Sequence, residues 1–179
     1  MLTPEDTVLV LIDVQEKLAR AMFDREALVE NAVKMVSGAK ILGIPIIRTE
    51  QNPNGLGPAI PELGALLNDV DPITKLSFSC CGEPRFMDEL RRLGRKQVLV
   101  GGIESHVCVY QTVLELVPLR YEVQVLADVV SSRTVENRKI GLERCKAAGA
   151  SMTSVETSLF EMLRAAEGDK FKQMLKVVK

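Results

Sequence analysis

The chain has 179 residues, a length that suits one domain, and its 46% of hydrophobic and 26% of charged residues are typical of a globular protein. The net charge of −1 and the aromatic content of 4%, with no Trp, speak against a nucleic-acid-binding surface. No apolar run is long enough for a membrane span, and the first residues lack the basic start of a signal peptide. We therefore expect a cytoplasmic protein with no membrane partner.

Strand patterns and helical patterns alternate along the whole chain, which is typical of a parallel sheet with helices on both faces. The predicted strands cover residues 8–12, 44–48, 73–76, 97–101, 123–127 and, more weakly, 150–155. The predicted helices cover residues 27–42, 86–93, 107–117, 135–148 and 169–179. We predict an α/β protein, in which residues 1–179 form a single three-layer, Rossmann-like domain with a six-stranded parallel sheet.

Residues 51–61 break this alternation, because proline, glycine and asparagine crowd the stretch and no period is visible. The stretch follows the carboxyl end of the second predicted strand. Loops at that end of a sheet often carry function. We predict a loop that either forms a lid or pocket wall or simply connects two elements.

Cys108 lies where the fourth predicted strand gives way, through residues 102–105, to a helix. Parallel α/β sheets place their chemistry at such junctions. Ser105 is a candidate N-cap, which would place Cys108 in the first helical turn, where free backbone N–H groups and the helix dipole stabilise a thiolate. Cys108 is therefore a candidate nucleophile. The alternative is a small buried hydrophobic residue, the usual role of a free cysteine.

Two charged residues occupy equivalent positions on other predicted strands. Asp13 ends the first strand, and Lys75 belongs to the short third one. If these strands are neighbours of the Cys108 strand, their carboxyl ends bring the three side chains together. Asp13 would then serve as the base for Cys108, with Lys75 balancing its charge. Taken singly, Asp13 is equally well explained as a capping residue and Lys75 as a surface residue.

The other cysteines and the single histidine are interpreted as structural. Four cysteines at irregular spacing do not make a disulfide framework, so we expect reduced thiols. We interpret Cys80 and Cys81 as packing residues, since no third ligand has metal spacing. His106 precedes Cys108 by two positions, and helix residues two apart do not face each other, so we expect it to pack or cap near the site. Dinucleotide, phosphate-loop and zinc signatures are absent.

Four segments, taken together, resemble the isochorismatase-like cysteine hydrolases, a family that includes nicotinamidases, N-carbamoylsarcosine amidase and isochorismatase itself. The segments are residues 11–15 (LIDVQ), 74–78 (TKLSF), 101–109 (GGIESHVCV) and 127–133 (ADVVSSR). They lie in order at strand ends and span nearly the whole chain. The similarity is greatest to the branch of isochorismatase-domain-containing proteins and their bacterial relatives.

The resemblance implies a catalytic triad formed by Asp13, Lys75 and Cys108. It also implies a cis peptide bond between Ile103 and Glu104, and an oxyanion hole formed by the backbone N–H groups of Glu104 and Cys108. In the implied reaction, Cys108 attacks a small amide or related compound, the C–N bond breaks, and water hydrolyses the resulting thioester.

Two departures from the family pattern narrow the implied activity. Isochorismatase, which cleaves an ether, lacks the cysteine at this position, so Cys108 favours acyl-transfer chemistry. Metal-binding nicotinamidases carry paired histidines after the second strand, whereas residues 49–54 contain none, so we expect no metal and no cofactor. Two alternatives stay open: an isochorismatase-type ether hydrolase, and a non-catalytic small-ligand or redox-responsive protein with Cys108 as a sensing thiol.

By analogy with the family, the positions of four residues suggest that they line a substrate pocket. A place in the core or in a loop explains these residues equally well. They are Gln15, Phe23, Gln51 and Phe78. The expected partner is a small-molecule substrate. Since family members are usually oligomers, the resemblance also implies a homo-oligomer, for which the apolar residues at 114–117 and the C-terminal helix could supply an interface.

Overall fold

The computed structural model describes residues 1–179 and contains one sheet of six parallel strands in the order β3-β2-β1-β4-β5-β6. The strands are β1 (Thr7–Ile12), β2 (Ile46–Gln51), β3 (Ile73–Lys75), β4 (Gln97–Ile103), β5 (Glu122–Ser131) and β6 (Ser151–Thr153). All six predicted strands are confirmed, together with the α/β fold. β4 and β5 run further at their carboxyl ends than their apolar cores predict.

Nine α-helices cover the sheet. They are α1 (Glu16–Ala19), α2 (Arg25–Leu42), α3 (Pro53–Leu56), α4 (Pro61–Leu66), α5 (Pro84–Leu93), α6 (Tyr110–Leu116), α7 (Val135–Ala147), α8 (Val155–Leu163) and α9 (Gly168–Val178). A 3₁₀ turn (Cys80–Gly82) precedes α5, and a π-helical turn (Ser105–Val109) precedes α6. None of these helices combines the length and apolar character that a membrane span requires.

The structure corrects two predicted segments. The stretch at residues 51–61 is not a plain loop, because it begins within β2 and contains the short helix α3. The last predicted strand is shorter than expected, because the Ser154 side chain accepts a hydrogen bond from the Thr157 N–H and starts α8. Val155, which we predicted at the strand's end, is therefore the first residue of a helix.

The central strand β1 feeds two hydrophobic cores. Leu9 and Leu11 point into the core beneath α2, α8 and α9, whereas Val8, Val10 and Ile12 point into the core beneath α5 and α6. Each of these side chains is at most 2% exposed. A strand buried on both faces explains why the sequence shows a continuous apolar run rather than an alternation. The polar residues that follow such a strand mark its carboxyl end.

Gly102 allows β4 to pass close to β1 at that end of the sheet. Its φ is +127°, and an added Cβ atom would overlap the backbone of Ile12. Only glycine fits this combination of backbone conformation and contact. The close approach brings the turn after β4 against the residue that follows β1, which is Asp13.

Candidate active site

Asp13 and Lys75 meet at the carboxyl ends of β1 and β3. The Lys75 Nζ lies 2.6 Å from Asp13 Oδ2, and both side chains are fully buried. The two strands are not adjacent, because β2 lies between them in the sheet. The long lysine side chain therefore reaches past β2 to the carboxylate. An ion pair withdrawn from water in this way persists only when further hydrogen bonds satisfy both charges.

Polar neighbours from β2 and from the chain after β3 supply those further bonds. The Thr49 hydroxyl donates to Asp13 Oδ1 at 2.7 Å. The Lys75 ammonium also donates to Gln51 Oε1 at 2.8 Å and to the carbonyls of Ser77 and Phe78 at 3.2 and 3.0 Å. The pair is thus saturated, and both orientations are fixed. Lys75 is not the surface residue that its type alone suggests.

Asp13 itself has a backbone conformation that orients its side chain. Its φ is +53°, in the left-handed region, where aspartate is one of the few side chains tolerated. Its N–H donates to the Thr49 carbonyl, and its own carbonyl accepts the N–H of Gln15 at 2.7 Å. The chain therefore turns sharply at Asp13, directly after β1. This turn leaves the carboxylate in the buried pocket between the strand ends.

Cys108 lies in the π-helical turn after β4 and is 7% exposed. Burial, and then the nearby carboxylate of Asp13, raise the pKa of its thiol to about 12, while the Lys75 charge lowers it in part. The expectation of a stabilised thiolate at a helix N-terminus is therefore wrong for the resting protein. Ser105 is also not the N-cap, because the turn begins after Glu104 and the Ser105 side chain bonds elsewhere.

The backbone at the start of this turn holds a free donor. The N–H groups of Val107 and Val109 both donate to the carbonyl of Glu104, whereas the N–H of Glu104 donates to no backbone carbonyl. The peptide bond between Ile103 and Glu104 is cis, as the resemblance implies. A backbone N–H group without a partner beside a thiol is suited to bind a developing oxyanion. π-helical turns of this kind occur frequently at functional sites.

The four suggested pocket residues fall into two groups, of which Gln51 and Phe78 contact Lys75. Gln51 accepts from Lys75 and donates through Nε2 to the Leu76 carbonyl, and Phe78 holds Lys75 through its carbonyl. The side chain of Phe78 is free to contact a ligand, since the residue is 56% exposed.

Gln15 and Phe23 lie further from the triad. Gln15 is fully buried, and its side-chain amide bonds to the backbone of Gln51 and to the Gly57 carbonyl. It therefore braces the chain after β2. Phe23 is 42% exposed, and its carbonyl accepts the Ser131 hydroxyl. Of the two, only Gln15 is linked to a neighbour of Lys75, through the backbone of Gln51.

The predicted packing role of Cys80 is confirmed, because its side chain is fully buried in the core beneath α5 and α6. Its N–H donates to the hydroxyl of Thr112, and the same hydroxyl donates to the Cys108 carbonyl at 2.7 Å. Thr112 thus ties the 3₁₀ turn to the nucleophile's turn. No three His, Cys, Asp or Glu side chains are grouped as metal ligands would be.

Sequence reasoning missed three polar residues that hold the site. They are Thr49, Thr112 and Ser132. Thr49 could have been predicted from its position, because it pairs with Ile12, the residue before Asp13, near the carboxyl end of β2. The other two act through contacts that no local pattern reveals.

Four cavities of the molecule lie away from Asp13, Lys75 and Cys108. One, of about 540 Å³, is lined by residues from the start of β2 and from α5, such as Ile46 and Arg92. A second, of about 210 Å³, lies between α2 and the end of β5, with Asn31 and Arg138 in its wall. None of the four main cavities is lined by Asp13, Lys75 or Cys108.

Comparison with known proteins identifies relatives across the whole chain. The family model for the isochorismatase domain matches residues 7–157. Isochorismatase domain-containing protein 2 of Xenopus laevis is 38% identical over 173 residues, which cover 96% of this chain and 83% of that protein.

Solved structures are similar over the same length. The MAR1 ribonuclease of Caenorhabditis elegans is 32% identical, with a TM-score of 0.93 and coverage of 99% of this chain and 91% of that one. The YcaC gene product of Escherichia coli, an octameric hydrolase of unknown specificity, is 23% identical, with a TM-score of 0.93 and coverage of 98% and 88%. At 23% identity, the similarity to the YcaC gene product shows a shared fold only.

Proposed function

Since this chain belongs to the isochorismatase family, we propose that it is a cysteine-dependent hydrolase that cleaves the C–N bond of a small amide or related compound through a thioester. The observation that carries the proposal is the buried Asp13–Lys75 pair beside the Cys108 thiol. A base, its charge partner and a nucleophile in one pocket are the parts that acyl transfer requires.

The first half of the reaction forms the thioester. With a thiol pKa of about 12, Cys108 is protonated in the resting enzyme at neutral pH, so its attack on the carbonyl is coupled to proton transfer to Asp13. The carbonyl oxygen becomes an oxyanion, which the N–H groups of Glu104 and Cys108 bind. When the C–N bond breaks, Asp13 returns the proton to the nitrogen, and the amine leaves.

The second half hydrolyses the thioester. Asp13, again a carboxylate, takes a proton from a water molecule that attacks the thioester carbonyl. The same two N–H groups bind the second oxyanion, and the C–S bond breaks with return of the proton to sulfur. Lys75 stays paired with Asp13 throughout, and Thr49 keeps the carboxylate in one orientation. The products are a carboxylic acid and an amine, and no cofactor takes part.

The alternatives differ in what they require of Cys108. An ether hydrolase of the isochorismatase type would retain its activity without the thiol. A redox-responsive or ligand-binding protein would need the thiol or the pocket but not the Asp13–Lys75 pair, which is costly to bury. The presence of that pair favours the hydrolase.

Two further parts of the proposal concern the protein's surroundings. We propose a cytoplasmic location, because all four cysteines are unpaired, as is usual in a reducing compartment. We also propose a homo-oligomer. It is supported by exposed apolar residues on one side of the molecule, such as Leu114 and Leu119 at 45% and 53% exposure.

The test is a panel of small primary and secondary amides incubated with the wild type, Cys108→Ala and Cys145→Ala. Cys145 is the matched control because it is equally buried and belongs to the same core, but makes no contact with Asp13 or Lys75. We expect amine release by the wild type and by Cys145→Ala only, with an acyl adduct on Cys108 detected by intact mass after an acid quench. Amide turnover by Cys108→Ala would overturn the thioester route.

A further inference from the structure

Ser105 and His106 follow Glu104 in the turn that leads to Cys108, and both bind the hydroxyl group of Ser132. Ser105 Oγ lies 2.6 Å from Ser132 Oγ, and His106 Nδ1 lies 2.9 Å from the same oxygen. These residues carry the backbone between Glu104 and Cys108, whose N–H groups are the proposed oxyanion donors. A single side chain thus holds the turn from which the nucleophile and the oxyanion donors extend.

Ser132 is well suited to fix this turn. It directly follows β5 and has no exposed surface, so its hydroxyl has no competing water. Its carbonyl accepts the Phe23 N–H at 2.8 Å, which ties the residue to the start of α2. Ser132 is therefore held on its backbone side and free to bond only toward the turn.

Helix α7 closes the turn from another direction. An added Cβ atom on Gly141 would lie 2.5 Å from the Ser105 carbonyl carbon and 2.6 Å from the His106 nitrogen. The helix backbone is therefore in direct contact with the backbone of the turn. Between α7 and Ser132, the segment has little freedom to relax into an ordinary α-helical turn.

We propose that Ser132 is a positioning residue, whose hydroxyl keeps the 104–108 turn in the conformation that leaves the N–H groups of Glu104 and Cys108 free for an oxyanion. The effect of Ser132 on the reaction rate rests on the proposed hydrolysis, whereas its effect on the conformation of the turn does not. Nothing in the roles of Asp13, Lys75 or Cys108 requires a hydroxyl at this place.

The consequence is specific to the chemical step. Ser132→Ala leaves the triad residues intact but removes the one partner that Ser105 and His106 share. A displaced oxyanion donor lowers transition-state binding more than substrate binding. We expect kcat to fall about 10- to 100-fold, with KM changed by less than about 3-fold.

Ser131→Ala is the matched control. Ser131 is the preceding residue and is also buried. Its hydroxyl donates to the Phe23 carbonyl and, at 3.3 Å, to the Ser132 carbonyl, but not to the turn. Both variants remove one buried hydroxyl from the same segment, so their losses of stability should be similar. Only Ser132→Ala should affect the turn.

Hydrogen–deuterium exchange of peptides covering residues 103–110 supplies a readout that needs no substrate. We expect faster exchange there in Ser132→Ala and wild-type exchange in Ser131→Ala, together with the loss of kcat in the first variant alone. Ser105→Ala should lose part of the same kcat, and the double variant Ser105→Ala/Ser132→Ala should lose no more than Ser132→Ala.

The outcomes separate this inference from the hydrolase proposal. If no amide is hydrolysed by the wild type but the turn exchanges faster only in Ser132→Ala, the proposed function fails while the role of Ser132 in holding the turn stands. If exchange at the turn is the same in both variants, or if both lose kcat equally, Ser132 is not the positioning residue.

Discussion

The ammonium of Lys75 and the carboxylate of Asp13 form a 2.6 Å ion pair from which water is excluded. Each charge would be expensive to bury alone, so each residue depends on the other to remain where it is. A base kept in a dry pocket also acts more strongly on the neighbouring thiol than it would at the surface. Stability and reactivity at this site therefore depend on the same contact.

Removing the cation should destabilise the fold. Lys75→Met retains the length of the side chain but leaves Asp13 without its counter-charge. We expect the free energy of unfolding to fall by about 3 to 5 kcal/mol, as for one-sided loss of a buried ion pair. Urea denaturation followed by circular dichroism measures this loss.

The chain offers a matched surface pair as a control. Lys40 Nζ also lies 2.6 Å from an aspartate, Asp69 Oδ1, but those side chains are 37% and 63% exposed. Lys40→Met should destabilise the fold far less than Lys75→Met does, because solvent screens the pair. Equal losses in the two variants would show that burial of the Lys75 pair does not govern its energy.

Asp13→Asn should separate thiol reactivity from catalysis. The Asp13 carboxylate contributes to the raised pKa of Cys108, so its removal should lower that pKa and increase the thiolate fraction at any pH below about 12. We expect alkylation of Cys108 by iodoacetamide to become faster at pH 7 to 9, while amide hydrolysis is lost. The measurement is the labelling rate against pH, with the site identified by mass spectrometry.

Asp128→Asn provides the control for this experiment. Asp128 is half-buried, and its carboxylate accepts the Val155 N–H at the start of α8. It is not among the groups that shift the pKa of Cys108. Its variant should keep the wild-type rate profile. Slower labelling of Cys108 in Asp13→Asn would instead mean that Asp13 assists alkylation as a base more than it suppresses the thiolate.

Local pattern was sufficient for the strands and for the positions of Asp13 and Cys108 beyond the strand ends, because both depend on where apolar runs end. Asp13 and Cys108 follow runs that are buried on both faces, which makes the strand ends visible. Helix α8 was missed, because Val155 was assigned to a strand that Ser154 ends early. Helices α1 and α3 have four residues each, too few for a period to be visible.

The contacts that adjust the site could not be predicted in the same way. The hydrogen bond from Thr49 to Asp13 spans 36 residues of sequence, and that between Ser105 and Ser132 spans 27. Such bonds depend on register and on loop geometry, which a single sequence does not specify. The protonation of Cys108 was misjudged for a related reason, because burial outweighs the helix terminus only once the packing is known.

Gly141→Ala should impair the turn by steric contact. The added methyl group would lie within 2.6 Å of the backbone of Ser105 and His106, where neither atom belongs to a flexible side chain. We expect α7 or the turn to shift, with kcat for amide hydrolysis lowered about 10-fold or more. Steady-state kinetics of the variant measure the effect, with exchange at residues 103–110 as the structural readout.

Gly64→Ala is the comparison for Gly141→Ala. Gly64 lies in α4, and an added Cβ atom there meets nothing within 4 Å. The substitution should leave kcat unchanged and stabilise the fold by up to about 1 kcal/mol, since it restricts the unfolded chain. Wild-type kinetics in Gly141→Ala would contradict a close contact between α7 and the turn.

RNA is a substrate worth testing, because a relative with 32% identity is a ribonuclease. We expect no cleavage by this chain that depends on Cys108. With 23 basic and 24 acidic residues, the protein lacks the charge excess that draws a polyanion. Beside the nucleophile's turn, the Arg133 guanidinium is already paired with the Glu104 carboxylate at 3.1 Å, so the pair offers a polyanion no uncompensated positive charge.

The RNA measurement compares the wild type and Cys108→Ala on a labelled single-stranded RNA at low salt, where electrostatic binding is strongest. Equal and negligible cleavage by both proteins is the expected result. Cleavage by the wild type that Cys108→Ala loses would assign the thiol to phosphodiester chemistry. Cleavage shared by both would show that the reaction does not require the Cys108 thiol.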